Sequence, residues 1–246
     1  MTPKKEKDTE EKTESKYKKR VDGRKFDELR PVEAKIGVIP EADGSAMYKS
    51  GNTIALAAVF GPRTLHPQHM QNPKTGILRV NYDMMTFSVS ERKKPGPNRR
   101  SQEISKVIEW ALAPCIDLSE FPNSVVDVFI EIPQADAGTR VAGINAASMA
   151  LAHAGIPMKE IASAIAVGKL DKSLVVDLSK EEEDYAEGEG ATDIPVCYLS
   201  RSKKISLIQL DGKISSEELK QALELGKKAC EEIYKIQVKA LKEIKE

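Results

Sequence analysis

Residues 134–155, QADAGTRVAGINAASMALAHAG, constrain the fold more than any other stretch of the chain. From Val141 to Ala154 the side chains are almost all small or apolar, which predicts a closely packed helix built into the core and ended by Gly155 and Pro157. Arg140 places a full positive charge at its threshold. The five residues Asp136 to Arg140 stand between a strand and the start of that helix, where unpaired N–H groups and about half a positive charge are exposed. Gly138 lets a ligand approach the backbone, Thr139 adds a hydroxyl and Arg140 a planar cationic fork. Together they suit a phosphate or another oxyanion. The competing reading is an ordinary helix start with Arg140 paired to a neighbouring carboxylate.

With 246 residues the chain can bury a large core without staples. Lys+Arg and Asp+Glu are 38 each, so no global field attracts nucleic acid, and polyanion binding must come from local patches. Three cysteines, at 115, 197 and 230, have no metal-like spacing and read as reduced and structural, which suits a cytoplasmic protein. The charged beginning reads as no signal peptide, and no apolar run is long enough to span a membrane.

Residues 1–20 mix Lys and Glu without apolar period and read as a disordered charged tail; residues 21–246 form the folded unit. AKIGVI, GSAMYKSG, NTIALAAVFG, GILRVNYDMMTFS and SVVDVFIEIPQAD read as strands. SQEISKVIEWALAPCI has helical period, with Ser101 as its cap. KEIASA is expected as a short helix, AIAVGKL and KSLVVDLS as strands around a turn, EEEDYAEGEGATD as an acidic loop, and IPVCYLSRSKKISLIQLDG as a hairpin. A final long helix begins with a capping box of Ser215 and Glu218. The fold class is α+β: one domain of mixed β-sheets packed with α-helices and closed by a C-terminal helix.

Two further stretches could carry chemistry. In KKPGPNRRSQEI, Arg99 and Arg100 end a proline-stiffened loop, and guanidinium forks suit phosphodiester oxygens. A solvated basic turn is the plainer reading. The acidic run Glu181 to Asp184, followed by Asp193, comes directly after an apolar strand. Strand-end carboxylates can hold a divalent cation with phosphate or act as a general acid, although most such runs are solvated surface. His66 and His69 flank a proline without a third ligand and do not read as a zinc site.

DGRKFDELRP (22–31), NRRSQEISKVI (98–108), QADAGTR (134–140), HAGIPM (153–158) and AVGK (166–169), in this order, resemble the RNase PH family, and most of all its archaeal exosome members. The resemblance implies an RNase PH-type domain and a phosphate-dependent 3′→5′ exoribonuclease acting on single-stranded RNA. Inorganic phosphate is the co-substrate and nucleoside diphosphates are the products; the reverse reaction adds 3′ tails. It implies that Gly138, Thr139 and Arg140 bind the attacking phosphate and that Arg99 and Arg100 bind RNA. Asp184 and Asp193 would supply the general acid and, with Mg²⁺, stabilise developing charge. An inactive RNase PH-like paralogue in a hexameric ring of three heterodimers and RNA-binding cap subunits are the implied partners. Relatives place the two aspartates six residues apart, whereas here they are nine apart, which predicts a loop insertion and makes Glu183 an alternative to Asp184. A bacterial-type RNase PH that trims transfer RNA, or an inactive ring scaffold, are the alternative readings.

Overall fold

In the computed structural model of the chain, which describes residues 17–243, the glycine-punctuated apolar runs become strands β1 (Val32–Ile36), β2 (Gly44–Ser50) and β3 (Thr53–Thr64). With β4 (Ile77–Met84) and β5 (Ser124–Gln134) they make a five-stranded sheet in the order β1-β2-β3-β5-β4. Only β4 and β5 run parallel, and helix α1 (Arg99–Leu112) supplies the long crossover that parallel neighbours need. The second sheet contains β6 (Ala162–Leu170), β7 (Ser173–Val176), β8 (Ala191–Leu199) and β9 (Lys204–Ile208). It is antiparallel throughout, in the order β7-β6-β8-β9.

The small-residue segment becomes helix α2 (Thr139–His153), buried without interruption from Val141 to Leu151. It contacts strands of both sheets. Its polar residues are matched to the second sheet: the Asn145 amide donates to the Ala164 carbonyl at 2.9 Å and accepts from the Ala164 N–H at 2.8 Å. Ser148 Oγ accepts from the Ala162 N–H at 2.9 Å. The small side chains serve close approach: a Cβ on Gly44 would lie 2.4 Å from the Ala150 carbonyl oxygen. One apolar cluster runs through both sheets, α1, α2 and the terminal helix α4 (Ser216–Lys242), whose Ser215–Glu218 capping box is present. The three cysteines are buried thiols. Among the described residues no helix is long and apolar enough to cross a membrane.

Three local expectations are corrected. The cap of α1 is Asn98, whose side chain accepts from the Ser101 N–H; Ser101 is instead the third helical residue of that capping box. Arg99 and Arg100 therefore open the helix rather than end the loop. KEIASA is not a helix: β6 begins at Ala162, because those N–H groups are taken by α2 side chains and by β8. In the acidic run Lys180–Glu183 forms one helical turn, α3, capped by Ser179. The tail expected over residues 1–20 lies outside the described residues as far as residue 16. Its last part is ordered, since Tyr17 and Arg20 are buried through partners on α3.

Candidate active site

The segment expected to bind an anion is a strained turn held by side chains from other elements. Ala137 and Gly138 both have left-handed backbones, with φ of 55° and 64°. Thr53 Oγ1 accepts from the Asp136 N–H at 2.9 Å and donates to the Ala137 carbonyl at 2.7 Å, while Arg30 Nη1 donates to the Asp136 carbonyl. Gly138 occupies the cap position of α2 and offers no side-chain acceptor, so the first N–H groups of the helix stay available to an anion. Arg140 stands in the first turn. Its Nη2 reaches Glu103 only at 3.5 Å, and its buried Nε has no partner. That is a long contact for an ion pair and leaves donor capacity unused.

Tyr82, on β4, was not singled out from the sequence. Its buried hydroxyl has no hydrogen-bond partner. Burial pushes the phenol up to about 12, against the influence of Thr139, Arg100 and Arg140. Thr139 and Arg140 from the expected phosphate site and Arg100 from the basic loop thus act on one hydroxyl. Arg99 and Arg100 are exposed at the start of α1.

Asp193 lies near the start of β8 and is tied by backbone hydrogen bonds to Asp211, at 2.8 and 2.9 Å. Its Oδ1 is buried without a partner. Burial first, then Glu183, push its carboxyl up to about 6, against Arg140 and with a further contribution from Asp211. Asp184 is differently placed: it is exposed, and its Oδ1 accepts from Lys180 Nζ at 2.7 Å. The acidic neighbours acting on Asp193 are Glu183 and Asp211, so the charge of the acidic run that acts on it is Glu183, carried by α3, which packs on β8. The extra loop residues are anchored elsewhere, with Lys169 Nζ holding Glu189 at 2.6 Å and Glu218 at 2.9 Å.

Beneath the site lie two buried ion pairs that the sequence did not reveal, Arg20 with Glu182 at 2.7 Å and Arg30 with Asp177 at 2.6 Å. Burial opposes the charged carboxylates. Hydrogen bonds from Arg20, the Ser179 N–H and Tyr17 nevertheless hold Glu182 below its usual range, and the charge and hydrogen bonds of Arg30, with Ser50, do the same for Asp177. The blocks DGRKFDELRP and SLVVDLS contain Arg30 and Asp177, yet nothing in either block points to the other.

Comparison with known proteins gives a consistent result. Residues 28–157 match the model of the 3′ exoribonuclease family, domain 1, and residues 160–229 match domain 2. The chain is 54% identical over 225 residues to the exosome complex component Rrp41 of Thermococcus kodakarensis, covering 92% of this chain and 89% of that one. It is 49% identical to the Rrp41 of Archaeoglobus fulgidus, covering 90% and 86%. Rice Rrp46 superposes with a TM-score of 0.81 at 26% identity, covering 91% of this chain and all of that one. A chain of the Archaeoglobus fulgidus exosome with RNA bound to the active site superposes with a TM-score of 0.74 over 88% of this chain and 91% of that one, at 22% identity.

Proposed function

Because this chain belongs to the 3′ exoribonuclease, or RNase PH, family, we propose that it removes 3′-terminal nucleotides from single-stranded RNA by phosphorolysis, as the catalytic subunit of an exosome ring. The observation that carries this reading is an under-used cation, Arg140, at the start of α2, whose charge acts on a buried carboxyl of raised pKa, Asp193. Gly138, Thr139 and Arg140 bind inorganic phosphate through the free N–H groups and the guanidinium fork. Arg99 and Arg100 hold the RNA backbone. An oxygen of the bound phosphate attacks the terminal phosphorus, and the bond from that phosphorus to the 3′-oxygen of the preceding nucleotide breaks. The departing oxygen takes the proton of Asp193, and a nucleoside 5′-diphosphate leaves.

The donor set also fits Mg²⁺, which is bound by one or two carboxylates together with substrate phosphate oxygens rather than by an all-protein cage. The unpartnered Asp193 Oδ1 is the first candidate ligand. Asp184, the other residue the resemblance implied, is engaged by Lys180, and Glu183 is the carboxylate that acts on Asp193. Bound there, the ion would offset negative charge on the phosphates. The relatives called exosome components support assembly into a complex; we propose that it is the one the resemblance implies, a hexameric ring of three heterodimers with an inactive RNase PH-like paralogue and RNA-binding cap subunits, working in the cytoplasm.

The test is incubation of end-labelled single-stranded RNA with the purified chain and its paralogue, with and without phosphate. Nucleoside diphosphates should form only with phosphate, and Arg140→Ala should raise the phosphate KM more than it weakens RNA binding. Nucleoside monophosphates, or products independent of phosphate, would refute phosphorolysis.

A further inference from the structure

Residues Tyr17–Arg30, ahead of β1, contain no helix or strand, yet two arginines of this arm are buried in ionic networks. Arg20 donates to Glu182 from Nε at 2.8 Å and from Nη2 at 2.7 Å, and to the carbonyls of Val176 and Asp177 at 2.8 Å each. The Tyr17 hydroxyl adds a bond to Glu182 at 2.8 Å. Arg30 donates from Nη2 to Asp177 Oδ1 at 2.6 Å, while its backbone N–H and Ser50 Oγ donate to Oδ2 at 2.9 Å each. The other terminal nitrogen of Arg30 reaches the Asp136 carbonyl. The Asp136 carboxylate in turn accepts the Lys180 N–H, at the start of α3, at 3.0 Å.

Buried ion pairs are a poor means of stabilisation, because apolar groups of equal volume usually do as well or better. What they fix is geometry. The two halves of the site need such fixing, since the anion turn follows the first sheet and the acidic run belongs to the second. Carrying Glu183, α3 is a single helical turn and too short to be stable by itself. The arm grips both ends of the connection, Asp177 and Glu182 on one side and the Asp136 turn on the other.

We infer that Arg20 and Arg30 are positioning residues: the arm Tyr17–Arg30 holds α3, and with it Glu183, at a set distance from the Gly138–Arg140 turn, α3 and α2 both packing on β8, the strand that carries Asp193. The inference rests on the phosphorolytic reading for its kinetic consequences. Neither arginine touches the reacting groups.

The test compares Arg30→Lys and Tyr17→Phe with the wild type in the complex with the paralogue. Lysine keeps the charge beside Asp177 but lacks the fork that also reaches Asp136. In Arg30→Lys, kcat should fall about 10- to 100-fold, as a displacement near 1 Å does in a positioned site, with RNA affinity held within about twofold. The phosphate KM should rise, because the Asp136 carbonyl loses its contact with the fork. Tyr17→Phe, which loses one hydrogen bond to a charged group and no packing volume, should lower kcat roughly fivefold. A folded Arg30→Lys complex with wild-type kcat and phosphate KM would overturn the inference. If Arg30→Lys does not fold, a kinetically unaltered Tyr17→Phe overturns it. If the wild-type complex does not phosphorolyse RNA, the proposed function fails by itself. Calorimetric phosphate binding then decides the present point, weaker binding by Arg30→Lys supporting it and equal binding rejecting it.

Discussion

At Asp193 burial and the Glu183 charge favour the neutral carboxyl, and Arg140 favours the anion. The balance, about 6, lies above the value of an unfolded aspartate. Protonation therefore stabilises the fold: this contribution is complete below about pH 4 and is lost as pH rises through about 6. Asparagine carries no such burden. Asp193→Asn should be more stable than the wild type at pH 8, by on the order of 1–3 kcal/mol. Urea melts at pH 4, 6 and 8 should show the advantage vanish at the acid end, while phosphorolysis drops about 10²–10⁴-fold for a lost general acid. The same geometry separates the two neighbouring acids. Glu183→Gln should lower turnover at least about tenfold and shift the pH profile, as loss of a charge coupled to the acid does. Asp184→Asn, which breaks an exposed pair with Lys180, should change stability by less than about 1 kcal/mol and leave turnover near the wild type; the reverse order of effects would return the role to Asp184. The turn and helix start at Gly138, Thr139 and Arg140 were legible in the sequence because a strand, a flexible turn, a fork and a helix start follow one another within a few residues. The partner of Asp193 was not, since spacing along an inserted loop says nothing about which side chain the turn of α3 directs at β8. Arg20 and Arg30 were less legible still, their carboxylates lying 162 and 147 residues away.

Among the elements, α2 is the one whose sequence dictated its place. A helix lined on all sides by alanine, glycine and serine can be enclosed, and its contacts with both sheets follow. Enclosure carries a sharp sensitivity at Gly44, where a Cβ would meet the Ala150 carbonyl oxygen and the Ala154 N–H group at 2.4 Å, both of them backbone. Gly44→Ala should cost about 1–3 kcal/mol or more through overpacking, read as a lowered urea midpoint with an unchanged slope. Strand runs and the long terminal helix were legible for the same reason as α2, since their periodicity extends over many residues. KEIASA was misread because six residues hold too little period to compete with hydrogen bonds from Ser148 and Asn145 on another element. The start of α1 was misread because asparagine and serine cap equally well, and only the reciprocal bonds of Asn98 and Ser101 decide between them.

Over the whole molecule, one apolar cluster joins both sheets and three helices, although the family match divides between residues 157 and 160. The ordered arm sharpens what truncation should do. Removal of residues 1–16, which are almost wholly polar in sequence, should leave turnover within about a factor of two. Removal of residues 1–20 takes away Tyr17 and Arg20 and leaves the Glu182 carboxylate buried without its cation, which should lower the melting temperature by several degrees, as a broken buried pair does. Thermal melts of the two truncated chains test the contrast directly.

Synthesis runs from the N-terminus, and at about 5–20 residues per second Arg20 is joined to the chain roughly 8–32 s before Glu182 exists to receive it. The arm is thus made first and seated late. Until then its arginines are loose cations on a nascent chain, and the pocket they brace is unfinished. A polypeptide whose translation stops before the second sheet has its phosphate turn without Asp177, Glu182 or Asp193. The candidate site is therefore complete in sequence only once Asp193 of the 246 residues has been added.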